Sequence, residues 1–473
     1  MAVIEGDAVT SRVELDDRVN RLASGLVALG TEPGERAAWC GPNSTEVVVA
    51  MLACRALDLV AVPVPYRFTP EELHHVLADS GASVVMVDPA YASTIVGLLP
   101  RLPAVRHVVT FGDELPAASG PLAAGAGGKV MLYTSGTTGR PKGAVRAPSD
   151  PATLGAMMAE LDFGSDEVHL VTGPLYHAGP HAFALLALRT GGTVVVARSF
   201  DAAEWVRLVG RHRVTSAFVA PIHLKRIVAL PAGVLASVDL SSLRTVVVNA
   251  APVPYALKEE VIAKLGAGFL YEVYGSTELG IVTVLRPEDQ LRKPGSCGRP
   301  YGGIGLRVVD DDGSELPAGR EGELFVRTPH AMEGYRGSVA PMAELPGDPG
   351  WKSVGDIGRL DHEGYVHICD RRTDMVITGG MNVYPAEVEA VLHSHPEVAD
   401  AAVFGLPDDE WGERVHAVVA PRPGCALDPA ALGDFAAVRL AGFKCPRSWE
   451  VRDVLPRTES GKLLKRTLRA EAV

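Results

Sequence analysis

The chain has 473 residues, of which 47% are hydrophobic and 22% charged, and its formal net charge at pH 7 is −12. This length exceeds what one compact core supports, so at least two domains are expected. The acidic balance argues against nucleic acid or an anionic membrane as partner. With no long apolar run, no signal-peptide pattern at the start and six cysteines without a Cys-x-x-Cys pair, the sequence predicts a cytoplasmic protein.

The first part of the chain alternates amphipathic helices with short apolar strands. The predicted helices are Ser11–Leu29, Thr45–Ala56 and one that begins at Thr69, and the predicted strands are Ala37–Cys40, Leu59–Val62, Ser83–Val87 and His107–Thr110. A second run of the same kind has predicted strands at Glu167–Thr172, Thr193–Ala197, Ser216–Ala220, Thr245–Val248 and Phe269–Tyr271. This alternation predicts an α/β fold in two similar subdomains, each with a parallel sheet covered on both faces.

Two adjacent histidines and an aspartate, His74, His75 and Asp79, resemble in their spacing the motif of CoA-dependent acyltransferases. The preceding Thr69-Pro70-Glu71-Glu72 is a strong helix start, and the glycine that ends the acyltransferase motif is Ser80 here. We therefore favour an ordinary helix for this stretch over a catalytic histidine.

A glycine- and hydroxyl-rich stretch, Tyr133–Gly143, follows the apolar strand Lys129–Leu132. Glycine lets main-chain N–H groups approach a ligand closely, while hydroxyls, Arg140 and Lys142 suit phosphate oxygens. The pattern predicts a loop that wraps an oligophosphate, and it is not a P-loop, because no Gly-Lys-Ser/Thr opens a helix. The predicted nucleotide contacts in this stretch are Thr134, Ser135, Gly136, Thr137, Thr138, Gly139 and Lys142.

This stretch closely resembles the phosphate-binding signature of adenylate-forming enzymes, the superfamily of acyl-CoA synthetases, peptide synthetase adenylation domains and luciferases. The resemblance continues motif by motif over nearly the whole chain. It implies a large N-terminal domain of stacked α/β subdomains with a small β-rich part, residues 1–372, and a mobile smaller C-terminal α/β domain, residues 373–473. It also implies ATP/AMP, Mg²⁺ and coenzyme A as ligands.

A second signature, Tyr-Gly-x-Thr-Glu, occupies positions 274–278. The resemblance implies an adenine-stacking Tyr274, a phosphate-binding Thr277 and a magnesium-coordinating Glu278, and Mg²⁺ does prefer carboxylate and phosphate oxygens. Asn249 stands where many relatives have glycine, and Glu272 where an amide is common. The other nucleotide contacts implied here are Asn249, Ala250, Ala251, Pro252, Glu272, Val273, Gly275 and Ser276.

The ribose and the domain boundary are assigned through three further positions. Asp356 matches the carboxylate that accepts both ribose hydroxyls, and Arg371 matches an arginine that contacts the ribose or phosphate. Thr373 stands at the hinge, where Asp or Lys is common. Lys462, in Pro456–Lys462, matches the catalytic lysine that neutralises charge during adenylation.

The acyl and CoA sites are implied less directly. His177 follows a strand and precedes small residues, as expected for a site wall with a catalytic role as CoA enters. The expected acyl pocket comprises His177 and five small residues, which favour a bulky acid of secondary metabolism: Ala178, Gly179, Ala220, Ala250 and Gly275. Gly379 and Gly380 would leave a tunnel for pantetheine, and Lys444 could contact CoA phosphates.

Three functions stay open at this point. The favoured one is an acyl-CoA ligase that forms acyl-AMP from a carboxylic acid and ATP and then transfers the acyl group to CoA. The second is an enzyme of the same fold that takes a preformed acyl-AMP and makes only the thioester. The third is a nucleotide-binding protein without turnover. The sequence does not determine which acid is used or whether the thiol belongs to CoA or to a carrier protein. It also leaves open whether the chain forms a homodimer.

Overall fold

The computed structural model describes residues 1–116, 127–134, 141–337, 342–371, 374–378, 381–408, 411–440, 442–458, 461 and 463–472. Its α-helices are Arg12–Ala28, Thr45–Ala56, Pro70–Ser80, Pro89–Leu98, Pro151–Glu160, Ala178–Arg189, Ala202–His212, Pro221–Val228, Ala232–Ala236, Tyr255–Leu265, Pro385–His393, Pro429–Ala437 and Lys465–Glu471. Short 3₁₀ helices lie at Leu99–Arg101, Pro287–Asp289 and Gly442–Lys444. None of the helices in these ranges is long and apolar enough to cross a membrane.

Two large sheets form most of the chain. In spatial order the first contains Arg299–Pro300, Gly280–Leu285, Leu270–Ser276, Thr245–Val248, Ser216–Val219, Val168–Val171, Thr193–Val196, Val3–Glu5 and Ala8–Thr10. The second contains Gly334–Tyr335, Lys142–Arg146, Lys129–Thr134, Val60–Val64, Arg36–Cys40, Val84–Val87 and His107–Thr110. The central strands of both sheets pair in parallel, which confirms the predicted fold class.

Two smaller sheets follow. One contains Ala343–Glu344, Lys352–Ser353, Gly322–Arg327, Asp356–Leu360 and Val366–Arg371, with Gly305–Val309 paired to Gly322–Arg327. The other, in the C-terminal part of the chain, contains Met381–Val383, Val376–Thr378, Gly412–Pro421 and Val398–Asp408, with Ser448–Val451 paired to Gly412–Pro421. Their hairpin pairings are antiparallel, as expected for short β-rich connections.

The two large sheets share one hydrophobic core. Helices Arg12–Ala28, Thr45–Ala56 and Ala178–Arg189 lie within it and contact apolar residues of both sheets. The outer face of the first sheet is covered by helices such as Ala202–His212. The outer face of the second sheet is covered by helices Pro70–Ser80 and Pro89–Leu98. Burial on both faces explains why the strands are almost continuously apolar.

Several elements differ from the sequence prediction. The first residues form a hairpin, Val3–Glu5 with Ala8–Thr10, at the edge of the first sheet, where no strand was predicted. The strand predicted at Phe269–Tyr271 runs from Leu270 to Ser276, so the Tyr-Gly-x-Thr-Glu signature begins inside a strand and not after it. The reason is pairing with Gly280–Leu285, a hairpin partner that local sequence does not reveal.

Candidate active site

Four of the predicted site residues follow neighbouring strands at one edge of the first sheet. Its strands Val168–Val171, Ser216–Val219, Thr245–Val248 and Leu270–Ser276 are neighbours and run in parallel. Because the carboxyl ends of parallel strands lie at the same edge, the segments that follow them converge there. These segments carry His177, Ala220, Asn249 and Glu278.

The turn after Thr245–Val248 has an unusual backbone. The Asn249 side-chain amide donates a hydrogen bond of 2.8 Å to the Val273 carbonyl, and its oxygen accepts from the Ala250 N–H. Ala250 has a φ of 81°, a left-handed conformation that is costly for a residue with a Cβ. Asn249, which departs from glycine in relatives, therefore fastens this turn to the neighbouring strand.

Tyr274 and Asp356, predicted to contact adenine and ribose, are joined directly. The Tyr274 hydroxyl donates a hydrogen bond of 2.5 Å to Oδ2 of Asp356. Asp356 is buried at the start of strand Asp356–Leu360, in the third sheet. A carboxylate has about four acceptor positions, so a bond of this kind does not preclude the predicted contact with ribose hydroxyls.

Glu278, the predicted magnesium ligand, has a partner that the sequence prediction did not include. The Tyr335 hydroxyl donates a hydrogen bond of 2.8 Å to its Oε1. Tyr335 belongs to a short strand paired with Lys142–Arg146, and Nζ of Lys142 lies 5.7 Å from its ring centroid. One tyrosine therefore connects the predicted metal ligand with the predicted phosphate-binding lysine.

Arg146 supports the backbone around Glu278. Its guanidinium donates to the carbonyl of Thr277 and, at 2.9 Å, to the carbonyl of His330. Burial lowers the pKa of Arg146, and the nearby Glu278 carboxylate acts in the opposite direction. The Ser276 hydroxyl accepts from the N–H of Glu278 at 3.2 Å, which completes the local turn. Local sequence contains no signal for this role of Arg146, because its contacts are with residues more than a hundred positions away.

The residues fit a magnesium ion that takes most of its ligands from substrate phosphates and water and only one carboxylate from the protein. Within the described part of the chain, no three His, Cys, Asp or Glu side chains cluster as a metal-binding group. Mg²⁺ commonly binds through one or two carboxylates, with phosphate oxygens and waters completing its octahedron. Glu278, with one oxygen engaged by Tyr335, can supply such a single carboxylate.

Glu272, predicted to contact the nucleotide, is engaged inside the protein. It forms an ion pair with Lys258, and the two side chains are 9% and 1% exposed. Burial raises the pKa of Glu272, while Lys258 and a hydrogen bond from the Val253 backbone act in the opposite direction. Its carboxylate therefore holds the turn after Asn249, and contact with adenine through this side chain stays a prediction.

His177 lies in an aromatic environment at the start of helix Ala178–Arg189. The Tyr176 and His177 ring centroids are 4.6 Å apart. Burial lowers the pKa of His177 to about 4, so the imidazole is neutral at pH 7. Close to Ala220, the ring of His223 packs on Phe200 at 4.3 Å, and its pKa is also lowered to about 4 by burial.

Two glycines predicted to line the acyl pocket are closely packed on the side where a Cβ would lie. A Cβ at Gly179 would lie 2.3 Å from the ring of Phe218, which fills the space beside it. A Cβ at Gly275 would lie 2.1 Å from the carbonyl oxygen of Gly280, across the hairpin. These glycines permit close approach of a ring and of the main chain, and their place in the acyl pocket stays a prediction, as do those of Ala178, Ala220 and Ala250.

The C-terminal part of the chain meets the first sheet beside Ala220. A Cβ at Gly461 would lie 2.5 Å from Cγ2 of Ile222 and 3.4 Å from Cβ of Ala220. Arg457 donates 2.6 Å to the Gly461 carbonyl and binds both carboxylate oxygens of Asp400. The Nζ of Lys225 donates to the carbonyl of Ala399 on the other side of this contact.

Some predicted residues cannot be placed or are otherwise engaged. Lys444 binds both oxygens of Glu387, at 2.8 and 2.7 Å, so its charge is already paired. The positions outside the described residues are Ser135, Gly136, Thr137, Thr138, Gly139, Thr373, Gly379, Gly380 and Lys462, together with the side chains of Thr134 and Arg371. Their roles stay predictions.

Comparison with known proteins identifies the family. Residues 1–336 match the model of the AMP-binding enzymes, and residues 387–462 match their C-terminal domain. A feruloyl-CoA synthase of Amycolatopsis is 40% identical over 99% of this chain and 95% of its own length. The chain therefore belongs to the AMP-binding enzyme family, within the adenylate-forming superfamily, and is an AMP-forming acid–thiol ligase, as the sequence predicted.

Solved structures agree with this assignment. An amide bond synthetase from Marinactinospora thermotolerans superposes with a TM-score of 0.90 at 29% identity, covering 100% of this chain and 97% of that one. The o-succinylbenzoate CoA synthetase of Bacillus subtilis, in complex with its acyl-adenylate intermediate, gives 0.85 at 29% identity, with 99% and 95% coverage. The family accounts for ATP/AMP, CoA and a small-molecule acid as ligands.

Proposed function

We propose that the chain joins a bulky carboxylic acid to coenzyme A in two half-reactions, with Mg-ATP as the activating substrate and an acyl-adenylate as intermediate. The observation that carries the proposal is the linked set of Glu278, Tyr335 and Lys142. This set supplies a carboxylate for a metal and a cation for phosphate. It lies at the edge of the first sheet that also carries the turn after Thr245–Val248. The Tyr274–Asp356 pair adds the nucleoside contacts.

In the first half-reaction, an oxygen of the substrate carboxylate attacks the α-phosphorus of ATP. The bond from this phosphorus to the bridging oxygen breaks, and pyrophosphate leaves with the electron pair. Attack of one anion on another requires positive charge around the phosphates, which Lys142, Lys462 and the N–H and hydroxyl donors near Thr277 provide in this proposal. Glu278 would hold Mg²⁺, which neutralises phosphate charge when bound.

In the second half-reaction, the CoA sulfur attacks the acyl carbonyl carbon, and the bond from that carbon to the AMP oxygen breaks. The thiol proton is lost to solvent or to the departing phosphate. We propose that the C-terminal domain, residues 373–473, rotates about Thr373 between the two steps and brings Gly379, Gly380 and Lys444 to the CoA. The close approach of Gly461 to Ile222 and Ala220 supports this proposal, because the residue before Lys462 lies beside the predicted acyl pocket.

The acid is proposed to be aromatic or otherwise extended and to lack a second charge. His177 and His223 are neutral by burial, and they lie against the aromatic rings of Tyr176 and Phe200. Such surroundings favour apolar acyl groups over dicarboxylates. The relative named for feruloyl-CoA supports an aromatic acid of secondary metabolism.

The proposal is tested with a panel of hydroxycinnamic, long-chain, bicyclic and short-chain acids. For each acid, ATP–pyrophosphate exchange and acyl-CoA formation are measured, with Lys462→Ala as a matched variant. We expect both signals for one or more bulky acids, and loss of exchange in Lys462→Ala with thioester formation from synthetic acyl-AMP retained. Activity restricted to acetate or propionate would refute the bulky-acid assignment.

The same experiment separates the alternatives. Thioester formation from acyl-AMP without exchange for any acid would favour the enzyme of only the second half-reaction, which the departures at Asn249, Glu272 and Thr373 motivate. ATP binding without either signal would favour a nucleotide-binding protein. Replacing CoA by a carrier protein tests the thiol acceptor, and light scattering tests the homodimer. The cytoplasmic location fits consumption of ATP and CoA and stays a prediction.

A further inference from the structure

Phe218 departs from the burial of its neighbours in the first sheet. It lies on strand Ser216–Val219, on the side that faces the core shared by the two large sheets, whereas Val219 packs on the other side. The residues paired with Phe218 on the two adjacent strands, Val171 and Val247, are each 1% exposed. Phe218 itself is only half-buried. A central residue that keeps accessible surface at this depth borders open space.

The tip of the Phe218 ring packs against the first turn of helix Ala178–Arg189. A Cβ at Gly179 would lie 2.3 Å from Cζ of this ring, so only a glycine permits the contact as it stands. Gly179 and its two predecessors, His177 and Ala178, are also half-buried. All three belong to the predicted acyl pocket, so the space that Phe218 borders is next to that pocket.

Behind Phe218 the same side of the strand is closed. Two positions earlier, Ser216 is 1% exposed, and its hydroxyl lies 3.1 Å from Nδ1 of the fully buried His169. The ring of Phe183, which is 3% exposed, has its centroid 5.4 Å from that of Phe218. The accessible space therefore ends at the Phe218 ring.

We propose that Phe218 is a specificity-determining residue, which forms the bottom of the acyl site and limits the length of the acid. The inference rests on the proposed function and deepens it. The ring offers an apolar surface to the end of the acyl group, and it stops a longer group because the residues behind it are closely packed. One methylene more or less in an apolar pocket changes the selectivity of an enzyme by about 10- to 200-fold.

Two substitutions test this limit, and a third residue provides a matched control. Phe218→Ala removes the whole ring and leaves a cavity at the end of the acyl site, and Phe218→Leu removes part of it. Phe163 belongs to the same aromatic cluster, with its ring centroid 5.9 Å from that of Phe183, but it is 4% exposed. Phe163→Leu therefore makes the same change as Phe218→Leu at a ring that borders no open space.

The assay measures kcat/KM in ATP–pyrophosphate exchange with the acids of the panel above and with phenyl-substituted alkanoic acids. This series runs from phenylacetic to phenylhexanoic acid, each one methylene longer than the last. The ratio of kcat/KM for two acids on one enzyme does not depend on the folded fraction, so a loss of stability leaves this ratio unchanged.

The expected result is a preference for longer acids in both Phe218 variants. In Phe218→Ala, the kcat/KM of an acid about two methylenes longer than the best acid of the wild type should rise about tenfold or more relative to that best acid. Phe218→Leu should give a smaller rise. Phe163→Leu should keep the ratio of the wild type within about twofold.

The contact between Gly179 and Phe218 is tested by a double-mutant cycle. Gly179→Ala forces the ring to move, and kcat/KM for the best acid of the wild type should fall about tenfold. In the Phe218→Ala background the same substitution should cost less than about threefold, because the ring that the Cβ would meet is gone. Equal losses in the two backgrounds would overturn the proposed arrangement.

The outcomes separate this inference from the proposed function. A wild type that activates an acid, with an unchanged preference in both Phe218 variants, would overturn the inference and leave the proposed function intact. A shift in Phe163→Leu as large as that in Phe218→Leu would also overturn it, because a loosened core would then explain both. A wild type without exchange for any of these acids would overturn the proposed function and the inference together.

Discussion

The buried pair of Lys258 and Glu272 allows a prediction of defined size. The two side chains are 1% and 9% exposed, and the pair lies beneath the turn that begins at Asn249. Lys258→Met would leave the Glu272 carboxylate buried without its cation. Removing one partner of a buried pair costs about 3–5 kcal/mol, because the remaining charge is uncompensated.

The expected change in melting temperature follows from the size of the unit. At about 2.1 cal/mol/K per residue, the melting temperature of a cooperative unit of roughly 370 residues falls by about 4–6 °C for a destabilisation of about 3–5 kcal/mol. The double variant Lys258→Met/Glu272→Leu removes both charges and should recover most of this loss. Differential scanning calorimetry of the wild type and the single and double variants measures it.

The pH dependence supplies a further check. Burial raises the pKa of Glu272 in the folded state, and loss of Lys258 removes the charge that opposes this rise. In the window above the ordinary glutamate pKa, the folded variant then binds more protons than the unfolded chain, so its stability falls as the pH rises. The deficit of Lys258→Met should therefore be smaller at pH 5.5 than at pH 8. A deficit under about 1 kcal/mol, or one independent of pH, would refute the reasoning.

Three further predictions follow from single contacts. Tyr335→Phe keeps the ring but removes the bond to Glu278, and should lower the ATP–pyrophosphate exchange rate about tenfold; an unchanged rate would contradict this. Ala250→Gly removes a Cβ from a backbone position strained at a φ of 81°. The free energy of unfolding in urea should stay unchanged or rise by up to about 1 kcal/mol, and a clear decrease would contradict this. Lys225→Met removes the bond to Ala399 and should slow exchange more than thioester formation from acyl-AMP, and equal slowing would argue against a contact specific to the first step.

Local sequence predicted those elements whose signals are local. Helix Thr45–Ala56 is found with the predicted bounds, and Thr69 and Glu72 form the capping box that their spacing indicated. The parallel sheets followed from apolar strands alternating with helices. The strand Leu270–Ser276 was predicted too short, because its second half is imposed by pairing with a partner strand across a hairpin.

The structure brings together some predicted site residues that motifs carry, and it adds contacts that no motif indicates. Tyr274 and Asp356 are 82 positions apart in sequence and are hydrogen-bonded, as neighbours on one nucleoside site would be. Nothing in the local sequence around Tyr335, which binds Glu278, connects the two residues. Local sequence could not show that the ring of Phe218, on another strand, packs against Gly179, because that contact is made only in the fold.

The central claim is that a substrate carboxylate attacks the α-phosphorus of ATP, and oxygen transfer measures this directly. An accepted acid labelled with ¹⁸O in its carboxyl group is incubated with ATP, Mg²⁺, CoA and enzyme, and the AMP is analysed by mass spectrometry. The account predicts one ¹⁸O atom in the AMP for each acyl-CoA formed. Unlabelled AMP, or label in inorganic phosphate, would contradict it.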